Sequence, residues 1–240
     1  MTRLGLPVPF GFIITTDTCR EFFEAGNKLP SLLEQEYRVA LDLVEKKMGA
    51  RFGDPGNPLL FSVRSGAPVS MPGMMNTILN LGLNDEIAAG LAEKTNNARF
   101  AYDSYRRFIQ MFADVVLDVD ATRLEKELER YKAEHGKTQD VDMSADDWRE
   151  IVLRFKSLVD FPEDPFEQLK LAVQAVFLSW HTPRAIFYRE MNNISDSQGT
   201  AVNVQAMVYG NFGDDSGSGV AFTRNPSTGD RHFFGEFLFN

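Results

Sequence analysis

Cysteine and histidine are scarce in this sequence, with one cysteine, Cys19, and three histidines in 240 residues. A single cysteine excludes an internal disulfide and the usual thiolate zinc clusters, and it is typical of a reducing compartment. Cys19 lies near Phe22 and Phe23 in a predicted helix, so we expect a core thiol rather than a nucleophile. The histidines show no metal-ligand spacing, which predicts structural or surface roles. No residue is therefore assigned as a metal ligand.

Long apolar runs and excess positive charge are also missing. No stretch approaches the roughly 20 apolar residues that a membrane span requires. The net charge is −9, from 34 acidic and 25 basic residues, which argues against nucleic acid or an anionic membrane as the main partner. With 43% hydrophobic residues the chain can bury a sizeable core. We expect a soluble, cytoplasmic protein; a glycosome or plastid stays possible.

The pattern of residues divides the chain into three segments. Residues 1–83 read as an α/β region, residues 84–193 as a helical subdomain, and residues 194–240 as a β-rich region. The chain ends at Asn240 directly after an apolar strand, which would leave an edge strand unpaired. This pattern predicts a truncated chain or gene fragment.

Helix boundaries are predicted from capping signals. Serine or threonine followed three residues later by an acidic residue predicts a helix start; such pairs begin at Thr18, Ser31, Thr122 and Ser144. Asp164-Pro165 should open another helix, with a break at Pro183. Residues 74–83 fit either a short helix or a strand.

The stretch from Leu59 to Met75 carries the main candidate chemistry. A predicted strand over residues 59–63 ends at Arg64-Ser65-Gly66, and a loop with Pro68, Pro72 and Gly73 follows. An arginine fork beside Ser65, Gly66 and loop amides suits a phosphate. The alternative is a surface salt bridge beside an ordinary turn, because the spacing matches neither a Walker loop nor a dinucleotide fingerprint.

Other candidate residues lie near the end of the chain. Gln205, Met207 and Val208 belong to a strand whose backbone could bond a nucleotide base, although a plain core strand explains them equally well. The glycine-rich loop over residues 210–219 contains Gly217 and could wrap a polyphosphate, but its two aspartates oppose this. Further candidates are a hydroxyl, a second arginine fork and a carboxylate in an apolar strand: Thr223, Arg224 and Glu236.

Four segments together resemble the N-terminal nucleotide-binding domain of pyruvate phosphate dikinase. They are MTRLGLPVPFGFIITT (1–16), SVRSGAPVSMPGMMNTILNLGLND (62–85), GTAVNVQAMVYGNFGDDSGSGVAFTRNPSTGD (199–230) and GEFLFN (235–240). The resemblance implies an ATP-grasp-like α+β or α/β fold with an inserted helical subdomain, here truncated at the C-terminus. It also implies that the chain is part of a phosphotransferase and is inactive alone.

The resemblance assigns roles by position. It implies that Arg64, with Ser65 and Gly66, binds the ATP phosphates, and that Arg64 acts in transfer. The strand with Gln205, Met207 and Val208 would contact adenine. The loop with Gly217, and Thr223 with Arg224, would approach phosphates and ribose, and Glu236 would lie at the edge of the site.

Cofactors and partners follow from the same resemblance. It implies ATP and Mg²⁺, with a monovalent cation such as K⁺ or NH₄⁺ in the whole enzyme. The partners would be a swivelling phosphohistidine domain and a pyruvate/phosphoenolpyruvate barrel domain in a homodimeric enzyme. Two alternatives stay open: a phosphoenolpyruvate synthase (pyruvate, water dikinase), and a non-catalytic nucleotide-binding module.

Overall fold

A computed structural model describes residues 2–67, 69, 71 and 73–240, and of Thr2 only the backbone. Pro68 and Pro72, which the sequence placed in the central loop, lie outside the described residues. The chain forms two compact units, Met1–Met207 and Val208–Asn240. Each unit is described by itself below.

An antiparallel four-stranded sheet is the centre of the first unit. Its strands in chain order are β1 (Gly11–Ile14), β2 (Phe61–Gly66), β3 (Thr77–Leu81) and β4 (Ala201–Ala206). Their order across the sheet is β1-β4-β2-β3. Strand β4, the last of these four in the chain, thus lies between β1 and β2. The sequence prediction grouped residues 201–206 with the strands that follow, which differs from this pairing.

Helices connect these strands and cover the sheet. Between β1 and β2 are α1 (Thr16–Glu24) and α2 (Leu33–Met48). Between β3 and β4 are six further helices: α3 (Asp85–Thr95), α4 (Ala98–Val115), α5 (Ala121–Glu134), α6 (Ala145–Leu158), α7 (Pro165–Ser179) and α8 (Pro183–Met191). The mixed α+β class and the predicted helical character of residues 84–193 are confirmed. No helix in the described ranges has the length and apolar character of a membrane span.

Capping predictions succeeded only in part. Ser144 and Asp147 form the predicted capping box of α6, and Asp164 caps α7 with Pro165 in the first turn. Asp120, rather than Thr122, caps α5 by accepting a bond from the Thr122 amide. The pairs at Thr18 and Ser31 form no cap, because α1 already begins at Thr16 and α2 begins after Leu32.

Strand β2 is longer than the sequence indicated. The prediction ended it before Arg64, but Arg64, Ser65 and Gly66 all pair with β4, opposite Asn203, Val202 and Ala201. Arg64 also pairs with Thr77 of β3. Partners on both sides extend the strand, and the undecided segment at 74–83 contains strand β3. The prediction that Arg64 lies in a loop was therefore wrong.

One face of the sheet forms the core. Val63, Val202 and Val204 are fully buried, and Ile14 and Ala206 are nearly so. Gly11 is needed at the β1–β4 contact, since a Cβ there would lie 2.3 Å from the Val204 carbonyl oxygen. Cys19 is fully buried, as predicted, and burial raises the pKa of its thiol. It therefore stays protonated and packs as a small apolar side chain.

The segment after Gly66 is anchored by methionines. Met71 forms a buried cluster with Trp180 and Ala185, and Ala67, Met74 and Met75 pack against it together with Phe23, Tyr188 and Ile194. Trp180 is in turn fixed by Arg189, whose guanidinium lies 4.1 Å from the centre of the indole ring. The exit of β2 is thereby attached to the α7–α8 corner.

A buried glutamine joins α7 to the end of β3. Gln168 is fully buried, and its Oε1 accepts a bond from the Gly82 amide at 3.1 Å. Its Nε2 donates to the carbonyls of Leu83 at 2.9 Å and Pro162 at 2.8 Å. One side chain thus satisfies three backbone groups that would otherwise be buried without partners.

We expect Gln168→Leu to lower the free energy of unfolding by about 3 kcal/mol, because it leaves those backbone groups unpaired in the core. Urea denaturation followed by circular dichroism measures the change. Gln174→Leu is the matched control, since Gln174 lies on the same helix and is half-buried without a described hydrogen bond. Equal urea midpoints for the two variants would contradict the role of Gln168.

The second unit contains an antiparallel hairpin. Strands β5 (Gly217–Phe222) and β6 (Phe234–Phe239) pair with Val220 opposite Glu236. The predicted loop at 210–219 is therefore shorter, because Gly217 to Gly219 lie in β5. A Cβ on Gly217 would come within 2.7 Å of the Leu238 carbonyl oxygen, so the close approach of the strands requires glycine there.

Candidate functional site

Alternation along the strands gives the sheet two different faces. Residues directly opposite each other in an antiparallel pair project to the same face. Val63 and Val204 point to the core, whereas Arg64 projects to the other face together with Asn203 and Thr77. Arg64 and Thr77 are exposed and Asn203 is partly exposed. The predicted anion-binding arginine thus lies on a solvent-facing sheet surface.

Arg64 is available to bind a ligand. Within the described residues its guanidinium makes no hydrogen bond or ion pair. Several other arginines are paired with carboxylates: Arg106 binds Asp103 and Asp140, and Arg154 contacts three glutamates. The alternative interpretation was that Arg64 forms a surface salt bridge, but none of the described acidic residues pairs with it. A free fork of donors is the feature that recognises phosphate.

Ser65 and Gly66 differ from Arg64 in direction and environment. Ser65 is partly buried opposite Val202, so its hydroxyl lies on the core side of the sheet. Gly66 is exposed opposite Ala201, and a Cβ added to it would lie 3.6 Å from the Ala201 Cβ. The side chains of Arg64 and Ser65 therefore do not converge on one point, which the loop prediction had assumed.

Gln205 shares the face of Arg64 but is partly engaged. It lies opposite Ser62, and its Nε2 donates to the Pro9 carbonyl at 3.0 Å. The Met207 amide donates to the Leu60 carbonyl at 2.9 Å. The donors of both residues are thus used within the fold, while the Gln205 Oε1 has no described partner. A role of this strand in binding a base stays a prediction.

The remaining predicted residues belong to the second unit. Val208 is exposed at its start, and Gly217 lies in β5. Thr223 follows β5, and the adjacent Arg224 donates to the Gly229 carbonyl at 3.2 Å across the turn. Glu236 is exposed in β6. The expectation that this carboxylate needs a partner or a metal was wrong, because the strand around it is exposed rather than buried.

The described part of the chain contains no evident cluster of metal-binding side chains. No group of three or more histidine, cysteine, aspartate or glutamate side chains there is arranged to hold an ion. Within those residues, no such cluster supports the implied magnesium ion.

Sequence reasoning missed Asn203 and Thr77. The alternation Ala-Val-Asn-Val-Gln-Ala in β4 could have placed Asn203 on the polar face. Its position beside Arg64 could not be read from the sequence, because the two residues lie 139 positions apart, the difference between 203 and 64.

Similarity to known proteins identifies the family of this chain. The sequence model described as "Pyruvate phosphate dikinase, AMP/ATP-binding domain" matches residues 26–237. The chain belongs to the pyruvate phosphate dikinase family. It is 54% identical to pyruvate, phosphate dikinase 1, chloroplastic, of Oryza sativa subsp. japonica and 52% identical to pyruvate, phosphate dikinase of Clostridium symbiosum. Both alignments cover the whole chain.

The chain spans about a quarter of the length of these relatives, 26% of the rice protein and 28% of the clostridial one. A third relative, from Arabidopsis thaliana, is 52% identical over 25% of its length. The family resemblance expected from the SVRSGAPVSMPGMM and GVAFTRNPSTG segments is confirmed. The family model includes Arg64 and every other predicted site residue, since all lie between positions 26 and 237.

We expect Arg64→Ala to leave the melting temperature within about 1–2 °C of the native value, because exposed side chains without partners contribute under about 0.5 kcal/mol. Differential scanning calorimetry measures this. Arg106→Ala is the contrasting variant, since Arg106 is buried and paired with Asp103; its melting temperature should fall clearly. A large loss in Arg64→Ala would instead indicate a structural arginine.

Proposed function

We propose that this chain is the ATP-binding part of a pyruvate phosphate dikinase and that Arg64 binds the phosphates of ATP. The single observation that carries the proposal is an unpaired, exposed arginine at the centre of a sheet in a chain of this family. Phosphoryl transfer depends mainly on positioning and charge stabilisation, which a fixed guanidinium supplies. We assign an ATP-grasp-like fold as part of the same proposal.

The proposed reaction converts ATP, orthophosphate and pyruvate into AMP, pyrophosphate and phosphoenolpyruvate. ATP would phosphorylate a histidine on a separate swivelling domain, and a barrel domain would pass the phosphoryl group to pyruvate. These partners would be other parts of a longer protein, which accords with the quarter-length coverage of the relatives. A homodimeric whole enzyme in the cytoplasm, or in an organelle, belongs to the same proposal.

Magnesium would neutralise charge on the ATP phosphates. The described residues form no cluster of three or more metal-binding side chains, so no residue of this part of the chain is assigned to the ion. The proposed monovalent cation is likewise assigned no residue. Arg64 would bind a phosphate group of ATP and stabilise the negative charge on it.

The first test is calorimetric titration of magnesium-ATP into the chain and its Arg64→Ala variant. We expect the variant to bind about tenfold to a hundredfold more weakly, because a charge-assisted bond contributes about 1.5–3 kcal/mol. Arg123→Ala is the matched control, since it removes the same charge from an exposed position on α5. Unchanged affinity in Arg64→Ala would overturn the assignment of this arginine.

A second test separates the possible activities. A chimera would carry this chain in place of the matching segment of the Clostridium symbiosum relative. We expect it to form phosphoenolpyruvate from pyruvate and ATP only with orthophosphate present, and to lose this activity on Arg64→Ala.

Other outcomes of the chimera assay favour the alternatives. Product formation without orthophosphate would indicate a pyruvate, water dikinase. A chimera that binds ATP but forms no product would indicate a non-catalytic nucleotide-binding module.

A further inference from the structure

The sheet arranges three polar side chains in a row across neighbouring strands. Arg64 of β2 is directly opposite Asn203 of β4 on one side and Thr77 of β3 on the other. Opposite residues of an antiparallel sheet have Cβ atoms roughly 4.5–5.5 Å apart. A phosphate contacting the Arg64 guanidinium is therefore within reach of both neighbours.

All three side chains are available for binding. Within the described residues, neither the Asn203 amide nor the Thr77 hydroxyl makes a side-chain hydrogen bond, and Arg64 has no ion pair. The amide and the hydroxyl are neutral hydrogen-bond donors that can bind an anion beside the guanidinium.

The surroundings of the row favour an anion. No acidic residue occurs in strands β1 to β4, so the sheet itself carries no charge that would neutralise Arg64. Gly66 and Ala201, the next opposed pair on this face, are small and leave room beside Arg64. Ser65 projects to the core side and the Gln205 amide nitrogen binds Pro9, so neither competes with Asn203 and Thr77 as a donor.

We propose that Asn203 and Thr77 complete the phosphate site of Arg64, so that the anion lies over the row Asn203–Arg64–Thr77 on the face of the sheet. Arg64 supplies the charge, and the amide and the hydroxyl orient the phosphate oxygens from opposite sides. This inference rests on the proposed ATP-binding function and specifies its phosphate subsite. It moves the site from the loop after Gly66 to the strands themselves.

Calorimetric titration with magnesium-ATP and with magnesium tripolyphosphate tests the row, because the second probe carries phosphates without a base or ribose. Asn203→Asp keeps the shape of the side chain but places a carboxylate opposite Arg64, and Thr77→Val removes only the hydroxyl. We expect each substitution to lower the affinity for both probes about tenfold or more. Thr77→Ser, which restores the hydroxyl, should bind like the native chain.

Gln35→Glu is the charge control, because it makes the same amide-to-acid change at an exposed position of α2. Its affinities should stay within about twofold of the native values. Circular dichroism and melting temperature establish that each variant is folded.

The outcomes separate this inference from the proposed function. If Arg64→Ala lowers the affinity for the probes but Asn203→Asp and Thr77→Val do not, the proposed role of Asn203 and Thr77 is wrong, while ATP binding by Arg64 still stands. Loss of magnesium-ATP affinity with unchanged tripolyphosphate affinity would place Asn203 and Thr77 near the base or ribose and also overturn it. If the native chain binds neither probe, both the row and the proposed function fail.

Discussion

The insertion of β4 between β1 and β2 is the constraint on which the first unit depends. This strand is separated from β2 by the whole run of helices α3 to α8, yet it supplies hydrogen bonds to both neighbours. Its residues Val202, Val204 and Ala206 fill the core face, and its close contact with β1 requires glycine at position 11. Without this pairing, β2 would be an edge strand paired with β3 alone, and Arg64 would have a neighbouring strand on one side only.

Buried polar side chains fix the helices on this sheet. Gln168 bonds three backbone groups near the end of β3, and Arg189 joins the Trp180 carbonyl to Asp196. Buried polar groups are costly unless they are hydrogen-bonded, so the bonds that Gln168 and Arg189 make favour this arrangement of the α7–α8 corner. That corner holds Met71 in a buried cluster with Trp180 and Ala185.

The proposed chemistry needs a charge held in place rather than a reactive side chain. Arg64 is exposed while the strand that carries it is buried on its other face, which fixes the backbone and leaves the guanidinium free. The matching family model is described as an AMP/ATP-binding domain, and a phosphate of ATP is the ligand proposed for Arg64. The chain spans about a quarter of the length of the curated relatives that it matches.

Sequence patterns were sufficient to predict the family, helices within residues 84–193, the buried thiol of Cys19 and the helix starts at Ser144 and Asp164. These depend on local spacing or on long, specific segments. The predicted helix cap at Thr122 was wrong, because Asp120 lies two residues earlier and accepts the bond from the Thr122 amide. The predicted strand end before Arg64 was also wrong, because the turn residues that follow suggested a loop where β2 is still paired with β4. The positions of Asn203 and Thr77 beside Arg64 required the folded structure, because strand register pairs residues far apart in the chain and no local pattern records that pairing.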